Sequence, residues 1–171
     1  MAANQKTVAV EQAPAPKSFY EIERTELLKI GLLGAIAGIL IPLLGVVISN
    51  YFIEPVFCQS TDNFAICGSG GLVGYYIASV LVAIGAVALL ANWGVFRPLL
   101  VVLGVTAALW GLKKYVDPLT AGSWLEYYAF SVVLYGLGYL LFYLLVRFRN
   151  FALSVVLALV AVVLIRWALL V

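Results

Sequence analysis

The sequence predicts an all-α, polytopic integral membrane protein: a bundle of five transmembrane helices, N-terminus inside and C-terminus outside. Three observations predict it. The 171 residues are 65% hydrophobic and only 11% charged, against about 25% charged in a soluble domain. The apolar residues fall into five runs, about 30–53, 70–91, 96–112, 123–146 and 151–171. At about 1.5 Å rise per residue, most of these match or exceed a hydrocarbon layer of ~30 Å. Finally, Lys and Arg are shared unequally between the two sets of connections.

Residues 1–17 are polar and Ala/Pro-rich, with Pro14 and Pro16. They offer too little apolar surface to offset ordering entropy and are expected to be a disordered tail. A single helical membrane domain, 18–171, follows. Ser18 and Glu21 form an S-x-x-E capping box at its start. Glu21 with Arg24, and Glu26 with Lys29, are i,i+3 pairs on the first turns. Phe19 and Ile22 give this entry an apolar side suited to the interface.

The first run, Ile30 to Ile53, carries no charge. It exceeds the 7–15 residues of a signal h-region and has a Glu-rich front, so a retained helix is expected. Gly31, Ala35, Gly38, Pro42, Gly45 and Ser49 recur at alternating spacings of four and three. That pattern keeps one small face toward a neighbour and predicts a helix-packing seam. Gly34 and Gly38 add a G-x-x-x-G, which lets backbones approach closely. The longer stripe favours a crossing near +20°, and its partner is either the second span or another protein. Pro42 removes a backbone donor and frees the Gly38 carbonyl.

The outer loop, 54–69, holds the two cysteines, Cys58 and Cys67. A disulfide stapling this short loop is the expected reading, contributing about 2–3 kcal/mol in the chain-entropy model. Free thiols and a redox pair are the alternatives, and a redox relay would need a C-x-x-C that the chain lacks. Gly68-Ser69-Gly70-Gly71 resembles a phosphate loop only superficially: G-x-G-x-x-G fails at Val73 and no Lys follows.

The second run again has a small side, Gly71, Gly74, Ala78 and Gly85. Asn92-Trp93-Gly94 and Arg97-Pro98 predict a tight turn, with Pro98 in the first turn of the next helix. The third run is the shortest, and Lys113 and Lys114 can snorkel to complete it. Tyr115-Val116-Asp117-Pro118 reads as a loop. In the fourth run Tyr128, Tyr135, Tyr139 and Phe142 share a side. Tyr135 falls near mid-depth, where its hydroxyl needs a partner. The first and fourth spans are expected to meet there, with Tyr135 and Tyr139 at a cross-helix hydrogen bond or a small cavity. Arg147 to Asn150 forms a basic turn, and the fifth run reaches Val171 with no tail.

With the N-terminus inside, the inner side holds Lys6, Lys17, Arg24, Lys29, Arg97, Arg147 and Arg149. The outer side holds Lys113, Lys114 and Arg166, so seven against three favours this orientation. Trp93, Tyr143 and Phe148 fall at inner depth. Tyr51, Tyr75, Trp110, Trp124 and Trp167 fall at outer depth, as interface belts would. The orientation also puts the cysteines on the outside, where a disulfide persists.

No charged residue lies near the middle of a run, which argues against a proton pump or a voltage sensor. Glu126 and Arg166 both fall at outer depth and are expected to pair with each other or to snorkel separately to water. Ser79, Thr106, Ser131 and Ser154 are expected to bond their own or a neighbouring backbone. With two cysteines and no His, no four-ligand zinc set can form. No catalytic set, metal site or cofactor is expected, and a net charge of +2 does not suggest nucleic acid.

The expected function is that of a non-catalytic integral protein of the plasma membrane. It would be a scaffold or an accessory subunit, partnered by the bilayer and by other subunits or copies of itself. A small transporter or channel subunit for an apolar or weakly polar solute is the alternative. A thiol-linked membrane oxidoreductase comes third.

Overall fold

The computed structural model describes residues 24–57, 70–116, 123–148 and 150–170. The tail at 1–17, the Ser18–Glu21 box, the Cys58–Cys67 pair and the Asp117-Pro118 step lie outside the described residues. Every element among the described residues is helical. They are α1 (Arg24–Ile48), a π-helical turn (Ser49–Ile53), α2 (Glu54–Phe57) and α3 (Gly70–Asn92). Then come α4 (Pro98–Ala108), α5 (Leu112–Val116), α6 (Trp124–Val146) and α7 (Phe151–Leu170). Together they make five helical stretches long and apolar enough to cross a membrane.

The first stretch runs from Arg24 to Val56, 33 residues, and begins before the apolar run does. Its π turn has a local cause. Pro55 lacks an N–H and its ring would strike the Tyr51 carbonyl one turn back. The backbone widens instead, and Glu54 N–H donates to the Ser49 carbonyl five residues earlier. Pro42, by contrast, passes inside α1 without ending it.

The third stretch differs from the single helix expected over 96–112. It breaks at Leu109-Trp110-Gly111, where Gly111 takes φ 76°, and resumes as α5. Tyr115 and Val116, expected in a loop, are the last residues of α5. The preceding turn fits expectation: Gly94 has φ 70° and Pro98 opens α4. Arg97 is left-handed, φ 55°; the proline after it disfavours the right-handed helical region but would by itself favour an extended conformation, so the left-handed one belongs to this tight turn.

α1 lies at the centre of the packing and makes its largest interfaces with α6 and α3. A Cβ added at Gly34 would stand 2.6 Å from the Tyr135 carbonyl oxygen, and one at Gly38 would stand 2.7 Å from that of Ser131. Neither neighbour can yield, because both are helix backbone. Further along, Gly45 and Ser49 meet α3 at Gly74 and Tyr75. α4 packs on α6, α3 and α7, while α7 makes its main contacts with α4 and α6.

Candidate functional site

Two places concentrate polar atoms inside the bundle, and a third holds empty space. The first is the contact of α1, α3 and α6. The buried face of α6 is Tyr127, Ser131, Tyr135, Gly138, Tyr139, Phe142, Tyr143 and Val146. Tyr127 therefore takes the inward place expected of Tyr128. The first and fourth spans do meet beside Pro42, but the Tyr135 hydroxyl finds its partner on α3, at Ser79, rather than at the Gly38 carbonyl. Ser79 donates to the Tyr75 carbonyl at 2.8 Å. Its one hydrogen is thus spent, and Tyr135 is the donor in their bond. Tyr139 is almost wholly buried. The space beside Tyr135 is about 10 Å³, room for about one water, so the expected cavity lined by Tyr135 and Tyr139 is closed. Ser131, against Gly38, is fully buried, and among the described residues its hydroxyl has no hydrogen-bond partner. That departs from the expected backbone bond.

The stripe divides between two neighbours. Its first half faces α6, and Gly34, one position off the stripe, makes the closest approach with Gly38. Gly45 and Ser49 turn to α3, Pro42 is buried between, and Gly31 and Ala35 are half-buried. The partner is therefore this same chain.

The second place is the end where α1 starts. Tyr143 donates to the Glu26 carboxylate at 3.1 Å, so Glu26 reaches another helix. The Arg147 guanidinium lies over the Tyr143 ring at 5.9 Å. Ser154 faces the carbonyls of Phe148 and Asn150 at 3.1 and 3.2 Å and closes the turn between α6 and α7. Arg97 sits between the Phe96 and Phe151 rings, 4.3 and 4.8 Å from their centres. Its Nη1 is buried and has no hydrogen-bond partner among the described residues.

The third place is a cavity of about 430 Å³ between α4, α6 and α7. Val105, Ala108, Leu134, Gly138 and Ile165 line it, and the lining is almost wholly apolar. The break in the third stretch lies at its edge, because Leu109 is also part of the wall. Arg166 does not pair with Glu126, nor does it snorkel outward. Its Nε–H donates to the Ala107 carbonyl at 3.1 Å. Carbonyls in the last turn of a helix lose their intrahelical partners, and a cation there is favourable. Helical side chains also lean toward the helix N-terminus, which carries the Arg166 side chain back toward the bundle middle. Glu126 is exposed.

The aromatic belts are partly internal. Tyr51, Trp93, Trp124 and Trp167 are exposed, but Tyr75 is buried under the Lys113 ammonium, 4.3 Å from its ring centre. Trp110 stacks on Tyr76 at 5.1 Å. No protein-family model matches the sequence, and no curated protein or solved structure shows a match to it.

Proposed function

We propose that the chain is a non-catalytic integral membrane protein and that it serves as a structural subunit of a larger membrane assembly. The five apolar stretches would be its crossings. Their outer faces support this: Leu32, Ile36, Leu81, Ile84, Leu103, Val133 and Leu159 are all exposed. Apolar surface on that scale marks contact with lipid or protein. Arg24, Lys29, Arg97 and Arg147 share one end with the start of α1, which supports a cytoplasmic N-terminus. In that orientation the Cys58–Cys67 loop lies outside, where a disulfide between the two would persist.

One observation carries the assembly role. Only 11% of the most apolar window of α7 is buried within the chain, against 44% for the first stretch. Helices in lipid associate through side-chain packing rather than through the hydrophobic effect. A helix this sparsely packed keeps most of its packing surface for another chain. Photo-crosslinkers at Leu159 and Val163, both exposed on α7, test the reading in native membranes. Crosslinks to a defined protein are expected there, with lipid adducts alone from Leu43 on α1. Lipid adducts alone from all three positions would overturn the assembly role.

The alternative, a small transporter or channel subunit for an apolar solute, is supported by the 430 Å³ cavity. It would use the α4–α6–α7 side in place of the closed tyrosine seam.

A further inference from the structure

We infer that Arg166 is the docking point for a membrane-spanning helix of another protein, one that carries an Asp or Glu carboxylate at mid-depth. This rests on the assembly role proposed above and specifies the chemistry of the partner.

Three observations converge. The first is depth. The Arg166 Nε–H donates to the Ala107 carbonyl at 3.1 Å, and Ala107 is the tenth of the 19 residues of the third stretch, Pro98–Val116. Leu109, just beyond it, lines one small space with Ser79 and Tyr135. Ser79 is the tenth of the 23 residues of α3, and Tyr135 the twelfth of the 23 of α6. Three helices thus put the guanidinium near the mid-height of the bundle.

The second is unmet charge. Among the described residues Ala107 is the sole hydrogen-bond partner of Arg166, and it uses one of the five N–H donors of a guanidinium. The other donors are not enclosed by the chain, so they stand at the surface of the bundle. A cation at that depth in lipid is costly, and such residues pair with an opposite charge.

The third is the face on which it stands. Leu159, Val163 and Arg166 recur at spacings of four and three and share one side of α7. Leu159 and Val163 are exposed, and α7 is the least buried of the five stretches.

Charge complementarity selects the occupant. A carboxylate accepts two guanidinium donors side by side and cancels the charge. A lipid phosphate lies at the interface, about 15 Å away across half of a ~30 Å layer, and the Ala107 bond holds the Arg166 side chain inward. A second copy of this chain offers no carboxylate at that depth. Of its eight acidic residues only Glu126 falls within an apolar run, and it stands in the first turn of α6. The carboxylate therefore belongs to a different protein. Its backbone groups must be satisfied within lipid, which makes the docking segment a helix.

The test places a photo-crosslinker at Val163, one turn from Arg166, in the full chain in native membranes, and identifies the adduct by mass spectrometry. The expected adduct is a membrane protein with an Asp or Glu inside a spanning helix. R166Q should lower the crosslinking yield at least about tenfold. R166K should keep part of it, since the charge remains but the fork is lost. Replacing the partner's carboxylate by its amide should match the R166Q loss. R166E should restore the yield when the partner's carboxylate is exchanged for lysine. An adduct protein with no acidic residue in its spanning helices would overturn the inference. So would an unchanged yield in R166Q, or on changing the partner's carboxylate. That last measurement leaves this chain unaltered, so it holds even if R166Q fails to fold. Crosslinks to a second copy would overturn the inference and leave the assembly role standing. Lipid adducts alone would overturn the assembly role itself.

Discussion

The two sides of the bundle are built differently. On the α1–α3–α6 side, small residues face backbone: Gly34 and Gly38 lie on α6, and Gly74 lies on the Gly45–Ser49 segment. On the α4–α6–α7 side, branched residues face one another, and a cavity of about 430 Å³ remains between Val105, Leu134 and Ile165. The more open side is the more apolar one, with almost no polar lining, so hydrophobicity does not explain the difference. Lipid tails are as apolar as leucine, and what holds two helices together is how closely they approach. Glycine permits backbone contact over a continuous surface, whereas β-branched and leucine side chains meet only at their tips. The first side is a closed seam and the second an open one.

Substitutions can break this comparison, and the seam should be the more sensitive side. Gly38→Leu should have the largest effect, because its new side chain meets the Ser131 carbonyl and the Val132 Cα. Overpacking against backbone that cannot shift should cost about 3 kcal/mol, the upper end of the usual range, read as a large fall in the thermal midpoint in detergent. Gly85→Leu is its control: among the described residues nothing stands within 4 Å of the added Cβ, and a change within about 0.5 kcal/mol is expected. Equal losses at both positions would mean that the seam is not the source of stability.

Phe142→Ala comes next. Its ring is fully buried against Gly104, and deletion of such a ring costs about 3–5 kcal/mol in soluble cores. Because this ring borders the open side, the loss should fall at the lower end of that range. Ser79→Ala should cost about 1–3 kcal/mol, because it strands the Tyr135 hydroxyl in the closed seam. Ser131→Ala should cost nothing or stabilise, since the Ser131 hydroxyl is already buried without a partner. Thermal unfolding of the serine pair sharpens the picture: similar losses from both would show that Ser131 has a partner after all.

The five long apolar helical stretches were legible because length and apolarity alone decide them, and the Gly34–Gly38 approach was legible as a spacing. Other features were not. Tyr127 and Tyr128 are adjacent, and both fall about two helical turns from Tyr135, so spacing could not choose between them. The break at Leu109–Gly111 has only Gly111 as a local sign, inside an otherwise continuous apolar run. The direction of Arg166 depends on a carbonyl in another helix, exposed by that break. Its position near the end of the fifth run suggested water as its destination instead. The tyrosine cavity failed for a related reason: the small residues that bring α1 and α6 together leave no space between them.

Everything proposed for this chain depends on the bundle crossing a bilayer with α5 and the α6–α7 turn at opposite faces. Lys114 and Asn150 mark those two places and are both exposed. With Cys58 and Cys67 replaced by serine, single cysteines at 114 and 150 can be labelled with a membrane-impermeant maleimide in intact cells. K114C is expected to react directly and N150C only after permeabilisation. Reaction of both from the same side would contradict that crossing.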